Sequence, residues 1–161
     1  MRNKFPYKSI LIACSVGTAR SPMAVGFLKD FFSKRKLNIK VHSGGIASNA
    51  RDGMLISMDA KLVMLELGIK LSDTSESIDL KRHKELIKRA DLILVMTEQH
   101  KEDIMNFKEI NNEKIYTLKE FAGVYGDIED PSMKGIEGFR LVRDKIIDCL
   151  TKGLWKFSLS Y

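Results

Sequence analysis

The sequence predicts an α/β fold: a three-layer sandwich with a four-stranded parallel sheet and helices on both faces. Three observations carry this reading. Short apolar runs rich in β-branched residues alternate with longer segments of helical periodicity, in the order β-α-β-α-α-β-α-β-α. The run Leu92-Ile93-Leu94-Val95-Met96 is apolar throughout, as expected of a central parallel strand covered on both sides. The first strand, helix and second strand follow at βαβ spacing, which implies a right-handed crossover between parallel neighbours.

Ser9-Ile10-Leu11-Ile12-Ala13 is the first strand. The loop Cys14-Ser15-Val16-Gly17-Thr18-Ala19-Arg20 follows, with Ser21 as a candidate cap and Pro22 in the first turn of a helix running to about Arg35. Met23, Phe27, Leu28, Phe31 and Phe32 form its apolar face. Leu37 to Val41 alternates as a second strand, and Ser43-Gly44-Gly45 should follow its end, beside the first loop. A helix from about Leu55 to Leu67 stops at Gly68, a natural C-cap, and Ser72 to Asp79 reads as loop. One further helix, Leu80 to Arg89, precedes the Leu92–Met96 strand, after which Thr97 caps another helix. Lys114 to Leu118 is the fourth strand. A loop containing Gly123, Gly126, Asp127, Asp130 and Pro131 leads to a long amphipathic helix from Gly135 to about Lys156.

The 161 residues suit one domain spanning 1–161, with 44% hydrophobic and 30% charged residues. No apolar run has membrane-spanning length, and Met1-Arg2-Asn3-Lys4-Phe5-Pro6 lacks the apolar core of a signal peptide. A cytoplasmic monomer is expected, with no membrane partner. The net charge of +6 suits anionic, phosphorylated partners, but no aromatic-interleaved basic patch argues for nucleic acid. Cys14 and Cys149 are the two cysteines, too few for a disulfide framework and wrongly spaced for zinc; the three scattered histidines make no metal site. Cys149 falls on the apolar face of the last helix and reads as a buried structural thiol. His100 reads as a packing or hydrogen-bonding residue near its helix start.

The chemistry points to the first loop. A cysteine at the carboxyl end of a strand, a tight glycine-containing turn and a helix N-terminus together bring backbone N–H groups towards one place. Arg20, separated from Cys14 by five residues, adds a planar fork suited to two oxygens of an oxyanion. The same field favours a thiolate, so Cys14 is a candidate nucleophile with Arg20 as its electrostatic partner. Ser21 can donate to the sulfur. A leaving group would need an acid; proline restricts its own backbone and the residue before it, so Asp130-Pro131 is a candidate as well as an ordinary turn, with Asp127 and Glu129 behind. No metal or cofactor is required.

In the loop, and in Ser43-Gly44-Gly45, Ala90 to Thr97, His100, Thr117-Leu118-Lys119-Glu120 and Asp130-Pro131, the chain resembles the low-molecular-weight protein phosphatases over almost its whole length. The resemblance implies phosphoprotein hydrolysis through a phosphocysteine on Cys14, Arg20 holding the phosphoryl oxygens, Asp130 as the acid, and Ser15, Val16, Gly17, Thr18, Ala19 and Ser21 around the phosphate. It also implies that Ser43 helps hold the loop in shape. The usual family loop, Cys-x-Gly-Asn-x-Cys-Arg-Ser, has Val16, Gly17 and Ala19 at its third, fourth and sixth positions here. Val16 demands a backbone without positive φ, and Ala19 leaves Cys14 without a neighbouring thiol. Thr18 resembles the phosphoarginine-cleaving members, whereas tyrosine phosphatases usually carry an aliphatic residue there and an aromatic one in place of Ser132. Protein-arginine phosphatase is favoured and protein-tyrosine phosphatase stands second. Further alternatives are an arsenate reductase, which needs more cysteines near the site, and a phosphate-binding module without turnover.

Overall fold

The computed structural model describes residues 5–107 and 114–157. Four parallel strands form one sheet in the order β2-β1-β3-β4: β1 Ser9–Cys14, β2 Lys40–Gly45, β3 Leu92–Val95 and β4 Ile115–Thr117. Strand residues alternate between two cores. Ile10, Ile12, Cys14, Leu92 and Leu94 pack beneath α1 (Arg20–Lys34), α2 (Met58–Leu65), α5 (Leu118–Phe121) and α6 (Gly135–Trp155). Leu11, Ala13, Ile93, Val95 and Ile115 pack on the other face with Leu80, Ile87 and Ile104, from a short 3-10 turn at Leu80–Arg82, α3 (Lys84–Arg89) and α4 (Glu98–Met105). The expected three layers and four parallel strands are therefore present.

Element boundaries differ in four informative places. The second strand is Lys40–Gly45, not Leu37–Val41, because Lys36 turns the chain with φ 56° and the ladder to β1 begins at Ser9–Lys40 and ends at Cys14–Gly45. Ser43, Gly44 and Gly45 thus lie within the strand. The helix expected from Leu80 to Arg89 is divided, since Asp79 caps Lys81 and His83 leaves helical geometry at φ −132°. The second helix starts at Met58, where the Ser57 side chain accepts from Ala60 N. Its end matches expectation: Gly68 at φ 75° closes a Schellman turn, with Gly68 N donating to Leu65 O and Ile69 N to Met64 O. Helix α5 was not expected. Thr117 and Glu120 form a reciprocal capping box around it.

Candidate active site

Strand β1 delivers Cys14 to the carboxyl edge of the sheet, where ligands of open parallel sheets bind. The loop then returns to the α1 N-terminus, with its carbonyls fastened from outside. Ile46 N donates to Cys14 O at 2.9 Å, Ala47 N to Ser15 O at 2.9 Å, and Ser57 N to Thr18 O at 2.8 Å. Among the described residues, the N–H groups of Val16, Gly17, Thr18 and Ala19 donate to no other protein group. They remain available to an anion. The positive φ that the tight turn requires falls on Gly17 (85°) and not on Val16, which removes the difficulty that residue posed.

Cys14 through Arg20, together with Asp130 and Ser132, line one cavity of about 40 Å³. The Oγ of Ser21 stands 3.2 Å from the Cys14 sulfur. That contact replaces the expected cap: Ser21 lies inside α1, and the cap position is Ala19 without a side-chain bond. Arg20 is buried; one guanidinium nitrogen donates to Ile128 O at 2.8 Å and the other to Ser15 Oγ at 3.1 Å. Ile128 N in turn donates to Met96 O, so the loop bearing Asp130 is tied both to the end of β3 and to the arginine. Ile128 was not anticipated from sequence. Its signal was an apolar residue set between Asp127 and Glu129.

Asp130 accepts from Ser132 N at 2.9 Å. Burial pushes its carboxyl up, but the bonds from Ser132 and the charge of Arg20 outweigh this and leave it below its ordinary value. The competing carboxylates are engaged elsewhere. Asp127 accepts from Glu98 N at 2.9 Å. Glu129 pairs with Lys134 at 2.7 Å and Lys145 at 3.0 Å, and those bonds hold it at about 2.

Two expectations need correction. Ser43 does not line the Cys14 cavity; it lines a separate hollow of about 610 Å³ with Val25, His42 and Leu71. The backbone of Gly44 and Gly45 supports the loop in its place. An added Cβ on Gly17 would meet Gly45 N at 2.8 Å and Gly44 C at 3.0 Å. His100, expected only near its helix start, also reaches the loop: Nε2 lies 2.7 Å from Ser15 Oγ. Cys149 is buried as expected, and burial pushes its thiol up.

Residues 9–157 match the family described as low molecular weight phosphotyrosine protein phosphatase. The chain belongs to that family. Within it, the chain is 37% identical over 142 residues to a protein-arginine phosphatase of Geobacillus stearothermophilus, covering 88% of this chain and 89% of the relative. A protein-arginine phosphatase of Bacillus subtilis (strain 168) is 32% identical over 142 residues, covering 88% and 91%. A solved structure of the YwlE arginine phosphatase superposes with a TM-score of 0.83 at 31% identity, covering 93% of this chain and 95% of that one. That protein is a cysteine-to-serine mutant whose active-site serine is phosphorylated. Among the described residues of this phosphatase-family chain, no helix is long and apolar enough to cross a membrane.

Proposed function

We propose that this chain is a cysteine-dependent protein phosphatase that hydrolyses phosphoarginine side chains through a phosphocysteine. The observation that carries the reading is one cavity bounded by Cys14, the loop, Arg20 and Asp130, with Ser21 Oγ 3.2 Å from the sulfur. In the first step the Cys14 thiolate attacks phosphorus and the bond to the guanidino nitrogen breaks. Asp130 donates the proton that nitrogen needs. Its lowered value in the free protein moves upward when a phosphate dianion occupies the cavity and offsets Arg20. In the second step Asp130, now ionised, takes a proton from water; the oxygen attacks phosphorus, the S–P bond breaks, and thiolate and inorganic phosphate are released. Loop amides and Arg20 hold the equatorial oxygens, where charge spreads in both transition states. Ser21 donates to the sulfur as it becomes the leaving group.

Thr18 supports arginine, and Ser132 speaks against a wall that grips a tyrosine ring. Both line the cavity, and no aromatic side chain does among the described residues, so a phenyl ring would find no ring there to stack on. Tyr125, the nearest aromatic in sequence to Asp130, is 87% exposed and lines no part of it. Two relatives are named protein-arginine phosphatases, which supports the same reading. Protein-tyrosine phosphatase is the second reading, favoured by the family's own description. Arsenate reduction is poorly supported, because the cavity holds Cys14 as its one thiol. A cytoplasmic setting suits a mechanism that depends on a reduced thiol.

The test is phosphate release from phosphoarginine and phosphotyrosine peptides side by side, with Cys14→Ser as the control. Faster Cys14-dependent release from phosphoarginine supports the proposal. Preference for phosphotyrosine replaces it with the second reading, and binding without release from either would leave an anion-binding module.

A further inference from the structure

His100 is 4% exposed, and its Nδ1 has no hydrogen-bond partner. A buried polar atom left in that state calls for an explanation. The ring's other nitrogen is engaged. Nε2 lies 2.7 Å from Ser15 Oγ, and the same oxygen is 3.1 Å from a guanidinium nitrogen of Arg20. Arginine can only donate, so Ser15 Oγ accepts from Arg20. The hydroxyl has one hydrogen left to give, and the lone pair of Nε2 is the acceptor within reach. Where the hydroxyl gives that hydrogen to Nε2, His100 is neutral and carries its own hydrogen on Nδ1. From the other side, its backbone N–H donates to Thr97 Oγ at 3.1 Å, which fixes the ring at the first turn of α4.

We propose that His100 is a positioning residue for Arg20, acting through the Ser15 hydroxyl in a chain His100 Nε2 ← Ser15 O–H ← Arg20 N–H. This rests on the reading of Arg20 as the group that holds the phosphoryl oxygens. Successive hydrogen bonds polarise one another, so an acceptor behind Ser15 makes its oxygen a better acceptor for the guanidinium. Ile128 O fixes one end of the fork at 2.8 Å, and the Ser15–His100 pair fixes the other. With both ends held, the guanidinium plane cannot swing before the anion arrives. The environment agrees with a neutral ring: burial and the neighbouring Arg20 charge push His100 down to about 4, against smaller opposing effects of Asp103, Asp127 and Asp130. His100 is not among the residues that line the Cys14 cavity, which places it behind the loop and not against the phosphate.

The experiment is a double-mutant cycle on the full chain, with Ser15→Ala, His100→Ala and the double variant. Affinity for inorganic phosphate is read alongside kcat/KM for the better peptide. Each single change is expected to weaken both by about tenfold, the range of a hydrogen bond to a charged group. The double variant should be little worse than either single. Ser15→Thr and His100→Gln, which keep a hydroxyl and an acceptor, should restore most of the loss. These two also keep the test decisive if His100→Ala fails to fold. Additive losses, no rescue, or a nitrogen NMR signature with the hydrogen on Nε2 would overturn the proposal. Absence of turnover in the unmutated protein would defeat the phosphatase reading instead, and phosphate affinity would still report on the relay.

Discussion

Gly17 and Gly45 meet backbone to backbone: a Cβ on Gly17 would stand 2.8 Å from the amide nitrogen of Gly45, and one on Gly45 would stand 2.8 Å from Ser15 O. The loop around Cys14 owes its shape to this contact as well as to its own turn. Two glycines that are far apart in sequence are therefore needed at once, for different reasons. Gly17 supplies a left-handed backbone, and Gly45 supplies room.

Gly45→Ala is expected to push the loop away from β2. Overpacking against backbone costs about 1–3 kcal/mol, and kcat/KM should fall by more than tenfold. Gly68→Ala is the control: φ is 75° but nothing lies within 4 Å, so it should cost ~1 kcal/mol of stability and leave activity intact. Denaturant melts and steady-state kinetics on both variants check the contrast. Equal activity losses would show that strain anywhere, and not loop displacement, is responsible.

Asp130→Asn should lower kcat by about 10²–10⁴-fold while phosphate affinity is kept, since the amide fills the space but gives up no proton. Glu129→Gln should stay within about twofold of the unmutated activity, because its carboxylate is held by Lys134 and Lys145. Steady-state kinetics and phosphate titration of both variants read this out. A large loss in the glutamine variant would transfer the acid role to the neighbouring position.

Thr18→Ile should move the ratio of kcat/KM values towards phosphotyrosine by about tenfold or more. The change removes a hydroxyl from the cavity wall and adds apolar surface for a ring. Peptide pairs that differ only in the phosphorylated residue measure it. An unchanged ratio would mean that selectivity lies outside the loop.

Stability should fall on the acid side through His100. Burial lowers its value to about 4 in the folded protein, against 6.5 for an ordinary histidine. Between those values the unfolded chain binds a proton that the folded one refuses. The stability due to this group is fully present above about pH 6.5 and is lost as pH falls towards 4, by up to roughly 3 kcal/mol. Urea melts from pH 7 to 4 should show a shallower decline in His100→Gln than in the unmutated chain. Parallel declines would show that other groups dominate acid unfolding.

Much of this was legible in the amino-acid order. The apolar runs at Ser9 and Leu92 named the central strands, Gly68 marked a helix end, and the Cys14–Arg20 spacing with Asp130-Pro131 marked residues that line one cavity. Local signals sufficed because each depends on neighbours in the chain: alternation, capping, positive φ. The capping box of Thr117 and Glu120 was equally local, and the short helix it opens went unread only because four residues carry no periodicity.

What could not be read locally is whatever depends on two distant segments meeting. Strand β2 begins at Lys40 because parallel pairing with Ser9 sets its register, and that register carries Ser43 to another hollow and Gly44–Gly45 to the loop. Likewise Ile128 and His100 are ordinary residues until the fold brings a carbonyl to one end of Arg20 and a ring nitrogen to Ser15. By itself, then, the sequence determined the fold class and picked out the candidate reacting groups, since residue type and short spacing decide both. Tertiary structure decided how those groups are held, because the partners that fix a buried guanidinium lie on other elements, and no short-range pattern encodes their approach.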